Sequence, residues 1–201
     1  MKYLQFKEIY ILILLSLILF FSSINSLPVL DRDEARYVQA SKQMIESNNY
    51  SSIKFQNEYR SKKPIGIYWL QALSVNLLAD VKEINSESNQ IVGGYIWKYR
   101  IISAISAFLS ILLLYLLSKP IFGKKESFYG SIILACSLLF IAEAHIAKTD
   151  SILVTLTILV MLTLLKYFLN HKSSKSVSNF IFLWGGLGIS ILIKGPILPI
   201  I

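Results

Sequence analysis

The sequence predicts an all-α polytopic membrane protein, with about five transmembrane helices and an outer loop that carries interfacial helices. Three observations predict it. Hydrophobic residues make up 54% of the 201 residues and charged residues only 16%, against roughly 25% charged in soluble chains. Of the 32 Asp, Glu, Lys and Arg, 18 fall between Asp31 and Arg100, leaving 14 for the other 131 residues. Those 131 residues include uncharged apolar stretches of membrane-spanning length. This composition argues against a soluble enzyme. The net charge of +8 does not mark a nucleic-acid binder, because no basic patch alternates with exposed aromatics. Cys136 is the only cysteine, which excludes an intrachain disulfide or a cysteine-based metal site and leaves a small packing residue.

The first apolar stretch, Ile9 to Leu30, has no charged residue and follows Lys2 and Lys7. Ser22-Ser23-Ile24-Asn25-Ser26 lacks a good small-residue cleavage site, so the stretch reads as an uncleaved span rather than a signal peptide. Ile101–Ser118, Ser127–Ala142, Ser151–Leu165 and Val177–Ile193 supply 18, 16, 15 and 17 uncharged residues. With tilt and snorkelling lysines, each reaches across a hydrocarbon core of roughly 30 Å. The spans are therefore placed at about 9–30, 100–118, 127–145, 149–168 and 178–200, with the outer loop at 31–99. Gly195–Ile201 is apolar to its last residue, so the whole chain, 1–201, reads as the N-terminal part of one longer transmembrane domain.

Lysine placement sets the orientation. With the N-terminus inside, the short inner segments Met1–Glu8, Lys119–Glu126 and Lys166–Asn179 carry eight lysines, against Lys148 and Lys194 on the outer side. Pro64–Ala79 is uncharged for 16 residues, but if it spanned, six of those eight lysines would change sides. It reads instead as a helix at the interface or packed on the bundle, with Pro64 at its start and Tyr68 and Trp69 suited to the boundary.

Three polar clusters sit at the outer end. Asp31-Arg32-Asp33-Glu34-Ala35-Arg36-Tyr37 opens a helix from about Asp33 to Glu46, on which Tyr37, Val38, Ser41, Met44 and Ile45 form one stripe. Asp31 as cap and Glu34 as its capping-box partner explain the acids structurally, whereas carboxylates held at a membrane surface also serve as general bases or metal ligands. Arg60-Ser61-Lys62-Lys63-Pro64 puts cations where a helix begins, either a solvated turn or a seat for a lipid phosphate. Glu143 to Asp150, with His145 and Lys148, places charges at the membrane edge. Such groups are costly there unless they meet water or partners, which makes a functional site the default against a plain polar turn.

In this order, on this hydropathy profile, the clusters resemble the C-type membrane glycosyltransferases, in particular the bacterial aminoarabinose (lipid A) transferases and the dolichyl-phosphate-mannose protein mannosyltransferases. The carriers are Asp33-Glu34-Ala35-Arg36-Tyr37, Lys63-Pro64 followed by Tyr68-Trp69-Leu70, Arg100, Lys148-Thr149-Asp150 and Lys194-Gly195-Pro196. The resemblance implies that Asp33 is the catalytic or acceptor-positioning carboxylate and Asp150 the second essential acid. It implies that Lys63 and Arg36 meet the donor phosphate, and that Glu34, Tyr37, Lys148 and His145 line the cavity. It gives Lys194 no role. In the aminoarabinose transferases an acid linked to metal binding precedes the Lys-Pro pair. Here that residue is Lys62, so no cofactor is firmly implied and a divalent cation stays open. Ile65 replaces the second proline usual after Lys-Pro.

The implied activity is transfer of a hexosyl or pentosyl group from a polyprenyl-phosphate sugar to a lipid or protein acceptor, in lipopolysaccharide or protein glycosylation. The implied setting is the outer face of the cytoplasmic (inner) membrane, among membrane lipids and without nucleic acid. No Gly-rich phosphate loop argues for a nucleotide donor. Two other readings use the same charges: a transporter or flippase of lipid-linked sugars, and a lipid-binding fragment without activity of its own.

Overall fold

Inside a bilayer, backbone N–H and C=O groups find partners only within their own segment, so long uncharged runs become helices. The computed structural model describes residues 2–29, 31–60, 62–78, 96–169 and 177–200. Along these run α1 (Lys2–Phe21), α2 (Arg32–Glu46), the hairpin strands β1 (Lys54–Phe55) and β2 (Glu58–Tyr59), and α3 (Gly66–Leu78). They are followed by α4 (Ile96–Phe122), α5 (Lys124–Ala135), α6 (Leu138–Ala144), α7 (Asp150–Leu169), α8 (Val177–Lys194) and α9 (Ile197–Ile200). Residues 79–95 of the outer loop, together with Lys172 and Lys175, lie outside the described residues.

The protein is a helical membrane protein. Among the described residues, α4, α7 and α8 are long and apolar enough to cross a bilayer, and the bent pair α5–α6 makes a fourth if it is one span. Helix α4 is central: α7, α5, α1 and α3 all pack on it, while α8 packs on α7. Three helix boundaries depart from the apolar runs, each for a local reason. Helix α1 stops at Phe21 rather than near Leu30. There Ser23 turns to φ +60°, the Ser26 hydroxyl donates to the Ser23 carbonyl at 2.8 Å, and Pro28 follows. Serine side chains compete for the backbone in this way. The third run is not one straight helix. It breaks at Cys136 and Ser137, where Ser137 is extended (φ −66°, ψ 119°), and the two halves meet at 64°. The last run breaks at Gly195-Pro196, with Gly195 at φ +85° and a proline that cannot donate.

Helix α3 has 13 residues, about 20 Å at 1.5 Å per residue, too short to span. It lies on the bundle with Ile67, Tyr68, Gln71 and Ala72 buried. A Cβ on Gly66 would sit 2.6 Å from the Leu192 carbonyl oxygen, so the first turn of α3 reaches the end of α8 only because residue 66 is glycine. Helix α2 packs on α3. The Ser41 hydroxyl donates to Gln71 Oε1 at 2.7 Å, and Gln71 Nε2 donates to the Ala147 carbonyl at 3.1 Å. Buried amides joined this way fix α2, α3 and the 145–149 turn to one another at one end of the bundle. At the opposite end, Glu8 pairs with Lys124 at 3.0 Å and accepts from the Tyr115 hydroxyl at 2.7 Å, tying α1, α4 and α5.

Candidate functional site

Asp31 starts α2. One of its carboxylate oxygens accepts from the backbone N–H groups of Asp33 and Glu34, at 2.7 and 3.1 Å, as an N-cap should. Glu34 does not complete a capping box. It points inward, 1% exposed, and pairs with Arg100 through two bonds, Nε to Oε1 at 2.7 Å and Nη2 to Oε2 at 3.0 Å. Its Oε1 also accepts the Ala147 N–H at 2.8 Å. Arg100 spends its remaining donors on the carbonyls of Ile24, Leu27 and Pro28, at 3.1, 2.7 and 3.3 Å. A planar guanidinium is suited to this fan of acceptors. The pair therefore joins the turn after α1, α2, α4 and the turn before α7.

With Glu34 turned inward, Asp33 and Arg36 face the other way. They line an open cleft of about 410 Å³ with Phe55, Glu58, Tyr59, Arg60, Lys62 and Lys63. Asp33 is half exposed and its contact with Arg36 is long, 3.5 Å, so the carboxylate is not tied up. Arg60 follows the hairpin. Its Nε donates to the Tyr68 hydroxyl at 3.0 Å, and its guanidinium lies 5.8 and 6.0 Å from the ring centres of Tyr37 and Phe55. Burial, joined by Tyr68 and the Asp33 charge, pushes the Tyr37 phenol up to about 12. Burial also raises Tyr68, against the opposing pull of Arg60. Both phenols thus stay protonated at neutral pH and can donate a hydrogen bond or stack.

A second charged group adjoins this cleft. The Tyr37 hydroxyl lies beside the Thr149 side chain, and Lys148 donates to Asp31 Oδ2 at 2.5 Å. That bond, with the two backbone N–H groups, holds the Asp31 carboxyl below the usual carboxylate range despite partial burial. Burial pulls the Lys148 ammonium down, but the bond to Asp31 and the charges of Glu143 and Asp150 outweigh it, and its pKa rises. Asp150 forms an ion pair with Lys194 at the end of α8. With Glu143 it lines a more apolar cleft that includes Leu139, Phe140 and Val154.

The structure therefore brings Asp33, Arg36 and Lys63 together and places Tyr37 at their edge. Asp150 does not share their cleft: it lines the neighbouring one, held by Lys194, with the Tyr37–Thr149 and Asp31–Lys148 contacts between. Glu34 and His145 depart from the cavity role. Glu34 is buried against Arg100, and His145 is a buried latch whose Nδ1 and Nε2 lie 2.8 Å from the carbonyls of Ile141 and Ser22. Lys148 serves Asp31 rather than open solvent. Arg60, Tyr68 and Lys194 join the site from outside the expected set. The Arg60-to-Lys63 basic run was the signal for the first, and nothing in spacing alone pairs Lys194 with Asp150. Among the described residues no three His, Cys, Asp or Glu side chains gather as a metal set. Lys62, beside Lys63, brings a cation rather than a carboxylate to the position before the Lys-Pro pair.

Residues 62–201 match the family profile described as dolichyl-phosphate-mannose-protein mannosyltransferase. Among curated proteins, the chain is 34% identical over 110 residues to an undecaprenyl phosphate-alpha-4-amino-4-deoxy-L-arabinose arabinosyl transferase of Pseudomonas savastanoi pv. phaseolicola. That match covers 55% of this chain and 18% of that protein. A putative mannosyltransferase of Bacillus subtilis, YkcB, is 30% identical over 117 residues, 58% of this chain and 16% of that protein. The fold matches that of ArnT from Cupriavidus metallidurans, solved bound to undecaprenyl phosphate, with a TM-score of 0.78 at 20% identity over 96% of this chain and 33% of that one. The chain thus spans under a fifth of these curated relatives and a third of the solved structure.

Proposed function

Because the chain belongs to the dolichyl-phosphate-mannose-protein mannosyltransferase family, we propose that it carries the donor side of a membrane glycosyltransferase that moves a sugar from a polyprenyl phosphate to a hydroxyl of a lipid or protein acceptor. One observation carries this reading above the others. A half-exposed carboxylate, Asp33, shares a cleft with four cations, Arg36, Arg60, Lys62 and Lys63, at the end of an apolar bundle. That is the environment the headgroup of a membrane-embedded phosphate lipid would meet.

In the proposed reaction the acceptor hydroxyl oxygen attacks the anomeric carbon. The bond from that carbon to the phosphate oxygen breaks, and the electron pair leaves with the phosphate. The hydroxyl proton passes to Asp33, whose long contact with Arg36 leaves its carboxylate free to take it. Lys63 and Arg36 meet the phosphate and stabilise the charge it gains. Asp150, held by Lys194 in the adjoining cleft, orients the sugar or acceptor hydroxyls. The lysine distribution supports a cytoplasmic-membrane location with the N-terminus inside and residues 31–99 outside. A donor already on a lipid then needs no soluble nucleotide on that face.

Lys63→Ala in the full-length protein tests the phosphate role against Lys125→Ala. Lys125 is exposed at the start of α5, beside the Glu8–Lys124 end of the bundle. A charge-assisted contact is worth about 1.5–3 kcal/mol, or about ten- to a hundredfold. Lys63→Ala is expected to lower kcat/KM for the donor by that factor, and Lys125→Ala to leave it within about twofold. Equal losses in the two variants would remove Lys63 from the site.

A further inference from the structure

Arg60 differs from Arg36, Arg100, Lys148 and Lys194, each of which meets a carboxylate. Arg100 is saturated by Glu34 and three carbonyls, Arg36 touches Asp33, Lys148 is taken by Asp31 and Lys194 by Asp150. Among the described residues no carboxylate pairs with Arg60, although it is a half-buried, permanently charged group. Its backbone N–H closes the hairpin onto the Ile53 carbonyl at 2.9 Å. The Tyr68 hydroxyl holds Nε, and the rings of Tyr37 and Phe55 lie within cation–π distance of the guanidinium. The Nη edge is thereby set in one place without its charge being neutralised. A bidentate oxyanion fits such a fork.

The charge balance of the cleft indicates which oxyanion. Arg36, Arg60, Lys62 and Lys63 face Asp33 and Glu58, four cations against two carboxylates, which leaves two positive charges in excess. A polyprenyl-phosphate sugar is a phosphodiester with one negative charge. The phosphate monoester that leaves approaches two, since its second pKa is about 6. Interactions that strengthen along the reaction accelerate it, whereas equal binding of donor and transition state does not. We propose that Arg60 is a catalytic cation that takes up the charge gained by the departing lipid phosphate, and that the same cleft holds the released polyprenyl phosphate more tightly than the donor. The assignment rests on the transferase reading and extends it to product inhibition.

The test uses the full-length protein with a polyprenyl-phosphate sugar as donor and the bare polyprenyl phosphate as inhibitor. R60Q is expected to lower kcat about ten- to a hundredfold, to change donor KM less than about threefold, and to weaken product inhibition about tenfold or more. R60K keeps the charge but loses the planar fork, and its inhibition constant is expected to fall between those of the native protein and R60Q. Loss of donor KM in R60Q equal to the loss of inhibition would overturn the leaving-group role, because the contact would then be uniform. An R60K as weak as R60Q would overturn the charge argument. The transferase reading fails separately. A native protein that binds polyprenyl phosphate but forms no glycoside would end that reading, while an R60Q variant with tenfold weaker binding of the same lipid would still place Arg60 on the phosphate.

Discussion

Replacing Asp33 by Asn is expected to lower sugar transfer by about a hundredfold or more, with expression and melting temperature close to those of the native protein. The substitution keeps size and removes the base, whose usual contribution is about 10²–10⁴-fold. Structural costs are small because Asp33 does little for its helix. The cap is Asp31, whose oxygen receives the Asp33 and Glu34 N–H groups, and the Asp33 side chain has only a 3.5 Å contact with Arg36. Loss of a first-turn acid costs about 0.3–1 kcal/mol through the helix dipole. Donor binding should fall little or even improve, since a negative charge near the phosphate is removed. Activity assays with a thermal-shift measurement on the same samples separate the two effects. An Asp33→Asn protein that transfers at the native rate would leave its carboxylate with a helix-end role alone.

The neighbouring acid behaves in the opposite way. Glu34→Ala is expected to cost about 3–5 kcal/mol of stability, the usual penalty for stranding one partner of a buried ion pair. Arg100 would be left buried and charged, 1% exposed, with only carbonyls around it, and the Ala147 N–H would lose its acceptor. Four segments meet at this pair, so the damage would extend to the 145–149 turn and to the placement of Thr149 against Tyr37. The variant should therefore lose folded protein before it loses chemistry. Membrane yield and melting temperature are the readouts. The double variant Glu34→Gln with Arg100→Gln should recover part of the loss, because it removes the unpaired charge. A stable Glu34→Ala protein that is merely inactive would contradict the structural role and return Glu34 to the cavity.

These two adjacent acids also show what could be read from the sequence. The apolar runs gave the helices, because hydrophobicity is a property of consecutive residues. The basic run before Pro64 and the acids after Leu30 marked the site end for the same reason. Asp31 as cap was equally local. The direction in which Glu34 points was not, since its partner Arg100 lies 66 positions away and a first-turn glutamate suits a capping box just as well. Asp150 and Lys194 are separated by 44 positions and meet only because α7 and α8 are antiparallel neighbours. Arg60 lay inside a recognised basic cluster, but only the hairpin and the Tyr37, Phe55 and Tyr68 side chains single it out from Lys62 and Lys63. Helix breaks were hidden for a related reason. An uncharged run gives length, whereas the 64° bend comes from the extended backbone at Ser137, which hydropathy does not record.

Transferase and flippase readings of the same charges separate in detergent micelles, where there is no membrane to cross. Purified full-length protein would be mixed with a polyprenyl-phosphate sugar and a hydroxyl-bearing lipid acceptor, and the glycosylated acceptor and released polyprenyl phosphate followed by mass spectrometry. The account predicts that both products appear in equal amounts and that Lys63→Ala slows both together by about ten- to a hundredfold. Donor bound by the native protein with neither product formed, across acceptors of both lipid and peptide type, would contradict it.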